Sequence, residues 1–173
     1  MTEPIFLIAQ RIGESQVEAI RDQIAAQGHR LTGRLSASVE YQVKSVPDGL
    51  VIQYLLSEYG VPLNTGVIAS RIPFGKPTGA KVSKYIQGLI RFAKLRFRVT
   101  EKEAKGIAFA IAHKHIKEGM PTLGSYRFSK TGKRTEYLED AILQNAAQIE
   151  KFLLGLEAEI LRPLDNATFL KIN

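Results

Sequence analysis

From Ile142 to Ile160 the apolar residues return every three or four positions: Ile142, Ala146, Ile149, Phe152 with Leu153, Leu156 and Ile160. That period predicts one long helix from about Glu136 to Leu161, roughly 38 Å from end to end, with Pro163 as its stop. So narrow a stripe on so long a helix needs something laid along it. The cover is either the chain's own core or a second subunit. Ile149, Phe152, Leu153, Leu156 and Ile160 are therefore core candidates and subunit-interface candidates alike.

Shorter elements precede it. Val17, Ile20 and Ile24 predict a helix over 13–27 that Gly28 ends. Residues 1–12 read as an N-terminal arm, with a leading helix over Ile5–Ile12 as the alternative. Val39, Tyr41 and Val43 alternate with Glu40, Gln42 and Lys44, the period of a half-buried strand. Pro47-Asp48-Gly49 is a turn, and Leu50 to Leu56 returns as the second strand of a hairpin. Residues 57–67 are broken by Gly and Pro. Residues 70–80 and 122–135 read as basic exposed loops, and 164–173 as a C-terminal tail.

Between those loops lie two helices. Over 81–98 an apolar arc opposes a basic one, although Ala93 to Val99 also alternates like a strand. Thr100 and Glu103 have the spacing of a capping box. The next helix turns Ala104, Ile107, Ala108, Ile111 and Ile116 inward and stops at Gly119, just before Pro121. The expected fold is a single α+β domain over 1–173. A small antiparallel hairpin sheet of two to four strands is packed with three or more helices, the last one long.

Charge is distributed unevenly. The chain of 173 residues has a net charge of +7. Residues 71–134 hold 16 basic and 3 acidic side chains, whereas 1–70 are net −2 and 135–173 net −4. Such a middle attracts polyanions, or else meets the acidic ends of another copy. Arg71, Lys76, Lys81, Lys84, Arg91, Lys94, Arg98, Lys130, Lys133 and Arg134 are the residues expected to build this surface. With 8% aromatics and no Trp, the sequence carries no base-reading signature, so nucleic-acid contact would run through phosphates.

Other classes have less support. The longest apolar runs, Ile5–Ala9 and Ile107–Ala112, fall short of the roughly 18 residues a membrane span needs. Met1-Thr2-Glu3-Pro4 has no basic leader, so no secretory signal is expected. Without cysteine there are no disulfides, zinc ribbons or thiol nucleophiles, which fits a reducing cytoplasm. His113 and His115 diverge on a helix and make a poor metal pair. Thr131-Gly132-Lys133-Arg134-Thr135 lacks the glycine spacing of a phosphate loop, and Tyr137 lacks the companions of a recombinase nucleophile. The expectation is a non-enzyme with no cofactor and no metal.

One stretch carries a resemblance. Thr32-Gly33-Arg34-Leu35-Ser36-Ala37-Ser38 follows the first helix, precedes the hairpin, and leads to Glu58-Tyr59-Gly60 and Gly66. Over residues 14–67, about a third of the chain, this resembles the head–tail joining (neck or tail-completion) proteins of tailed bacteriophages. Thr32, Gly33, Leu35 and Ser38 fit that family's Thr-Gly-x-Leu-x-x-Ser element, and Tyr59, Gly60 and Gly66 approximate a later one. Usual members place a short helix soon after the hairpin, where this chain inserts the basic 70–98 segment. The resemblance implies a structural virion protein, assembled in the host cytoplasm, at the portal, neck or tail-terminator level. It implies a homo-oligomeric ring with a multiple of six subunits, neighbouring portal-adaptor or tail proteins, and non-specific contact with genome DNA in the lumen. A sequence-independent DNA-binding accessory protein is the alternative.

Overall fold

Helix α1, Glu3–Ala26, and helix α6, Tyr137–Phe169, come from opposite ends of the chain and lie along each other. The computed structural model describes residues 3–75, 83–122, 132 and 134–169, with the side chains of 3, 4 and 158–169 outside the description. The two helices run antiparallel. Gln27 donates to Asp140 at 3.1 Å, Gln23 to Gln144 at 2.7 Å, and Asn145 to Gln16 at 3.1 Å. The buried amides Gln16, Gln27 and Asn145 therefore sit inside an otherwise apolar seam. Each desolvated amide needs a partner, so they fix the register of the two helices.

Between them α1 and α6 carry the rest of the core. Helix α2, Arg34–Ala37, drops Leu35 into it. Strands β1, Glu40–Val46, and β2, Gly49–Leu55, pair antiparallel with Tyr41 opposite Tyr54 and Val43 opposite Ile52. Those residues form the half-buried face, while Gln42, Lys44 and Gln53 stay outside. Val17, Ile20, Ile24, Leu35, Val39, Tyr137 and Ala141 form the buried cluster. Full burial of a side chain such as Ile24 contributes about 1.5–3 kcal/mol. Helix α3, Gly60–Thr65, follows the hairpin and leads to a 3-10 turn at Ala69–Arg71.

Helices α4, Lys84–Phe97, and α5, Glu101–Glu118, form a second, smaller unit. They pack on each other through Ile86, Ala93, Ala104, Ala108 and Ala112. The alanine stripe lets the helix axes approach closely. Arg98 ends α4 in the left-handed region (φ 54°), and Thr100 opens α5 with the expected reciprocal box. The Thr100 N–H donates to Glu103 Oε2 at 2.9 Å. Ion pairing of Lys94 with Glu101 closes the same turn. This hairpin is tied to the rest by packing of α5 on the 3-10 turn and by a two-way backbone bridge of Val67 with Met120.

The fold is α+β, as expected, with a two-stranded sheet and six α-helices among the described residues. Two boundaries differ from expectation, and the open choice at the end of α4 is decided for the helix. The segment read as an arm is the first part of α1, and burial of Ile8 and Ala9 holds it there. Helix α4 runs on to Phe97, so the alternation after Ala93 is not a strand. Helix α6 continues past Pro163 to Phe169, into the stretch expected as a tail. Proline removes one hydrogen bond and crowds one carbonyl, a cost of about 3 kcal/mol, but its φ is helical.

Candidate interaction surfaces

The basic residues expected to act together are partly gathered by α4. Ser83 caps this helix, its hydroxyl accepting from the Ile86 N–H at 3.3 Å. With Ile86 and Ala93 turned toward α5, helical geometry sends Lys84 and Arg91 to the opposite side and Lys94 to the flank, and all three are exposed. Arg98 lies exposed just beyond the helix. Lys94 is engaged by Glu101, whose carboxyl that hydrogen bond holds below the usual carboxylate range. Lys84 and Arg91 thus form a cationic strip on the far side of the hairpin, with Arg98 exposed at the end of the helix. Arg71 is also exposed, but on the 3-10 turn rather than on α4.

Arg134 does something else. Its guanidinium donates to the carbonyls of Gln27 and Gly28, both at 3.4 Å, and its own carbonyl accepts from His29 at 3.1 Å. These carbonyls belong to the C-terminal end of α1, where backbone acceptors lack helical partners and a cation is favoured. Arg134 is therefore a helix-terminating clamp rather than part of a polyanion surface. Lys76, Lys81, Lys130 and Lys133 lie outside the described residues.

The stripe on α6 is rotated from the expected one. Tyr137, Ala141 and Asn145 are buried, and Ile149, Phe152 and Leu156 continue that line half-buried against α1. Ile142, Leu143, Leu153 and Leu154 lie outside it, 56, 74, 50 and 57% exposed. Ala146 and Ala147 join them, along with Glu139, Glu150 and Glu157. So Ile149, Phe152 and Leu156 are half-buried in line with the buried residues, Leu153 belongs to an exposed acidic-apolar face, and the side chain of Ile160 lies outside the description. Reading by hydropathy alone missed the rotation because a buried Asn145, satisfied by Ser15 and Gln16, occupies a core position.

Helix α5 presents the opposite combination. Phe109 and Ile116 are 43 and 37% exposed, with Lys102, Lys105, His113 and Lys117 around them. Phe74 supports this face, its ring 5.0 Å from His113 and 6.0 Å from Phe109. His115 points the other way, into the α4–α5 seam, where Nδ1 lies 2.6 Å from the Tyr85 hydroxyl. Burial lowers the His115 pKa, with Glu118 opposing, and raises that of Tyr85. A neutral imidazole accepting from the phenol satisfies both groups.

Tyr137 and Asn64 both hold the start of α6 in place. The Tyr137 hydroxyl is buried and donates to the Gly60 carbonyl at 3.0 Å; burial first, then Tyr59 and Glu139, pushes its pKa to about 12. Asn64 reaches from α3 to cap α6, accepting from the Leu138 N–H at 2.9 Å while its amide donates to Glu139. An open groove of about 310 Å³ beside the Val67–Met120 bridge brings Glu118 and Glu136 near Thr65, Ile68 and Pro121. Among the described residues no three His, Asp or Glu side chains converge as a metal site. No described helix is long and apolar enough to cross a membrane.

The Thr-Gly-x-Leu-x-x-Ser element has a local physical role. Gly33 takes φ 75° to open α2, Leu35 enters the core, and the Ser38 hydroxyl accepts from the Ser57 N–H at 3.1 Å. That last bond ties α2 to the chain leaving β2. Gly60 is equally constrained, since a Cβ there would lie 2.4 Å from Leu56 and 2.9 Å from the Tyr137 hydroxyl. No protein family, curated protein or solved structure matches the chain.

Proposed function

We propose that this chain is a structural subunit of a phage head–tail connector, assembling as a ring through which genome DNA passes. The observation that carries this reading is the separation of surfaces. One helical hairpin is cationic and apolar, and one face of α6 is acidic and apolar, within a single rigid-cored subunit. Complementary faces at different places on one surface give head-to-tail contacts, which form a ring where the rotation between subunits closes and a filament where it does not. Lys84, Arg91 and Arg98 would meet phosphates without regard to sequence. The resemblance over residues 14–67 points to the same assignment, and Gly33, Leu35, Ser38 and Gly60 within it each do a distinct structural job.

Native mass measurement and electron microscopy of the purified protein test it. The expected result is a closed ring whose subunit number is a multiple of six. A protein that stays single at every concentration overturns it.

The cationic strip on α4 favours a second reading, a sequence-independent DNA-binding accessory protein. Tight mobility shifts by a single copy, with a steep salt dependence, would select that reading. Weak binding by a large closed oligomer selects the connector.

A further inference from the structure

We propose that the outer face of α6 in one subunit docks antiparallel on the outer face of α5 in the next, and that this is the ring contact. The inference rests on the connector reading and adds to it which two helices meet, and in what register.

Charge decides the occupant. The outer face of α6 carries Glu139, Glu150 and Glu157 among Ile142, Leu143, Leu153 and Leu154, with Lys151 beyond its edge. A second α6 would set these acids against themselves, and a phosphate surface would be repelled. The outer face of α5 carries Lys102, Lys105 and Lys117 around Phe109 and Ile116, with the chain's own Phe74 ring packed against Phe109 and His113 as part of the same face. Glu101, at its border, is paired with Lys94 and lies 4.0 Å from Lys105. Opposite signs flank an apolar centre on both faces, which both steers and holds an encounter.

Length and register agree with it. Helix α5 has 18 residues, about 27 Å at 1.5 Å each, and the stretch Glu139 to Glu157 spans about the same length. Setting Ala146 opposite Phe109 lets the small side chain admit the ring. In the antiparallel sense this brings Glu150 opposite Lys105 and Glu139 beside Lys117. Antiparallel helices also oppose their dipoles favourably. The strip is about 10 Å wide and about 27 Å long, below the roughly 800 Å² per partner of a standard interface. A single docked pair is thus weak, and closure of the ring, which links each copy twice, supplies the rest.

Charge reversal on the full chain tests this, read by sedimentation and native mass with circular dichroism as a folding control. Glu150 and Lys105 are both exposed, so neither change threatens the core. Glu150→Lys alone and Lys105→Glu alone are expected to weaken assembly by about tenfold or more, and the double variant to restore it. Singly changed proteins that assemble like the wild type overturn the docking while leaving the connector standing. So does a double variant no better than the singles. A wild type that never assembles removes the connector reading and this docking with it.

Discussion

Asn64 is a single side chain that two helices depend on. Its carbonyl oxygen caps α6 at Leu138 and its amide holds Glu139, while its backbone carbonyl accepts from the Glu136 N–H at 2.8 Å. Asn64→Ala is expected to lower stability by about 1–3 kcal/mol, since it leaves a buried helix end unsatisfied; urea denaturation measures it. His115 gives a second test at this scale. Its pKa is depressed in the folded state by burial, so the unfolded chain binds more protons below the ordinary value of 6.5. Stability is therefore complete above that value and falls as pH drops below it. His29, lowered by burial and by Arg134, acts in the same direction. The melting temperature should decline from about pH 7.5 to about pH 5.5, and His115→Gln should shrink the decline without abolishing it.

At the scale of elements, glycine positions separate close packing from open surface. A Cβ on Gly13 of α1 would lie 2.3 Å from the Tyr41 ring, whereas one on Gly88 of α4 would meet nothing within 4 Å. Gly13→Ala should destabilise by about 1–2 kcal/mol, overpacking outweighing the better helix propensity. Gly88→Ala should stabilise by about 0.5–1 kcal/mol. Thermal melts of the two variants side by side check the contrast. Where the chain's local chemistry acts alone, the sequence was readable: the turn at Pro47-Asp48, the box at Thr100 and Glu103, and the stop at Gly119 all hold. It was less readable where tertiary packing overrides it. Periodicity placed Ile142 and Leu153 in one stripe with Ile149 and Leu156, yet α1 covers only the line that Asn145 shares. Arg134 counted as surface charge because nothing local shows that it folds back onto the end of α1, more than a hundred residues away.

At the scale of the whole molecule, most of the described basic side chains of residues 71–134 lie in two places, a strip on α4 and a face on α5, both on one hairpin. If the α4 strip meets phosphates, replacing Lys84 and Arg91 by alanine should reduce the slope of log affinity against log salt by about 0.9 for each phosphate no longer neutralised. Fluorescence anisotropy with duplexes of unrelated sequence checks this, and the reduction should not depend on the sequence used. The pairing of α1 with α6 has a further consequence, for synthesis. Helix α1 leaves the ribosome well before α6, the helix that packs along it. At about 5–20 residues per second, the nascent chain carries the bared flank of α1 for roughly 6–20 seconds before its counterpart emerges. The α4–α5 pair closes only a short turn and can form meanwhile. Chaperone capture of ribosome-bound chains should therefore centre on Val17, Ile20 and Ile24 and end only when the C-terminal third is released.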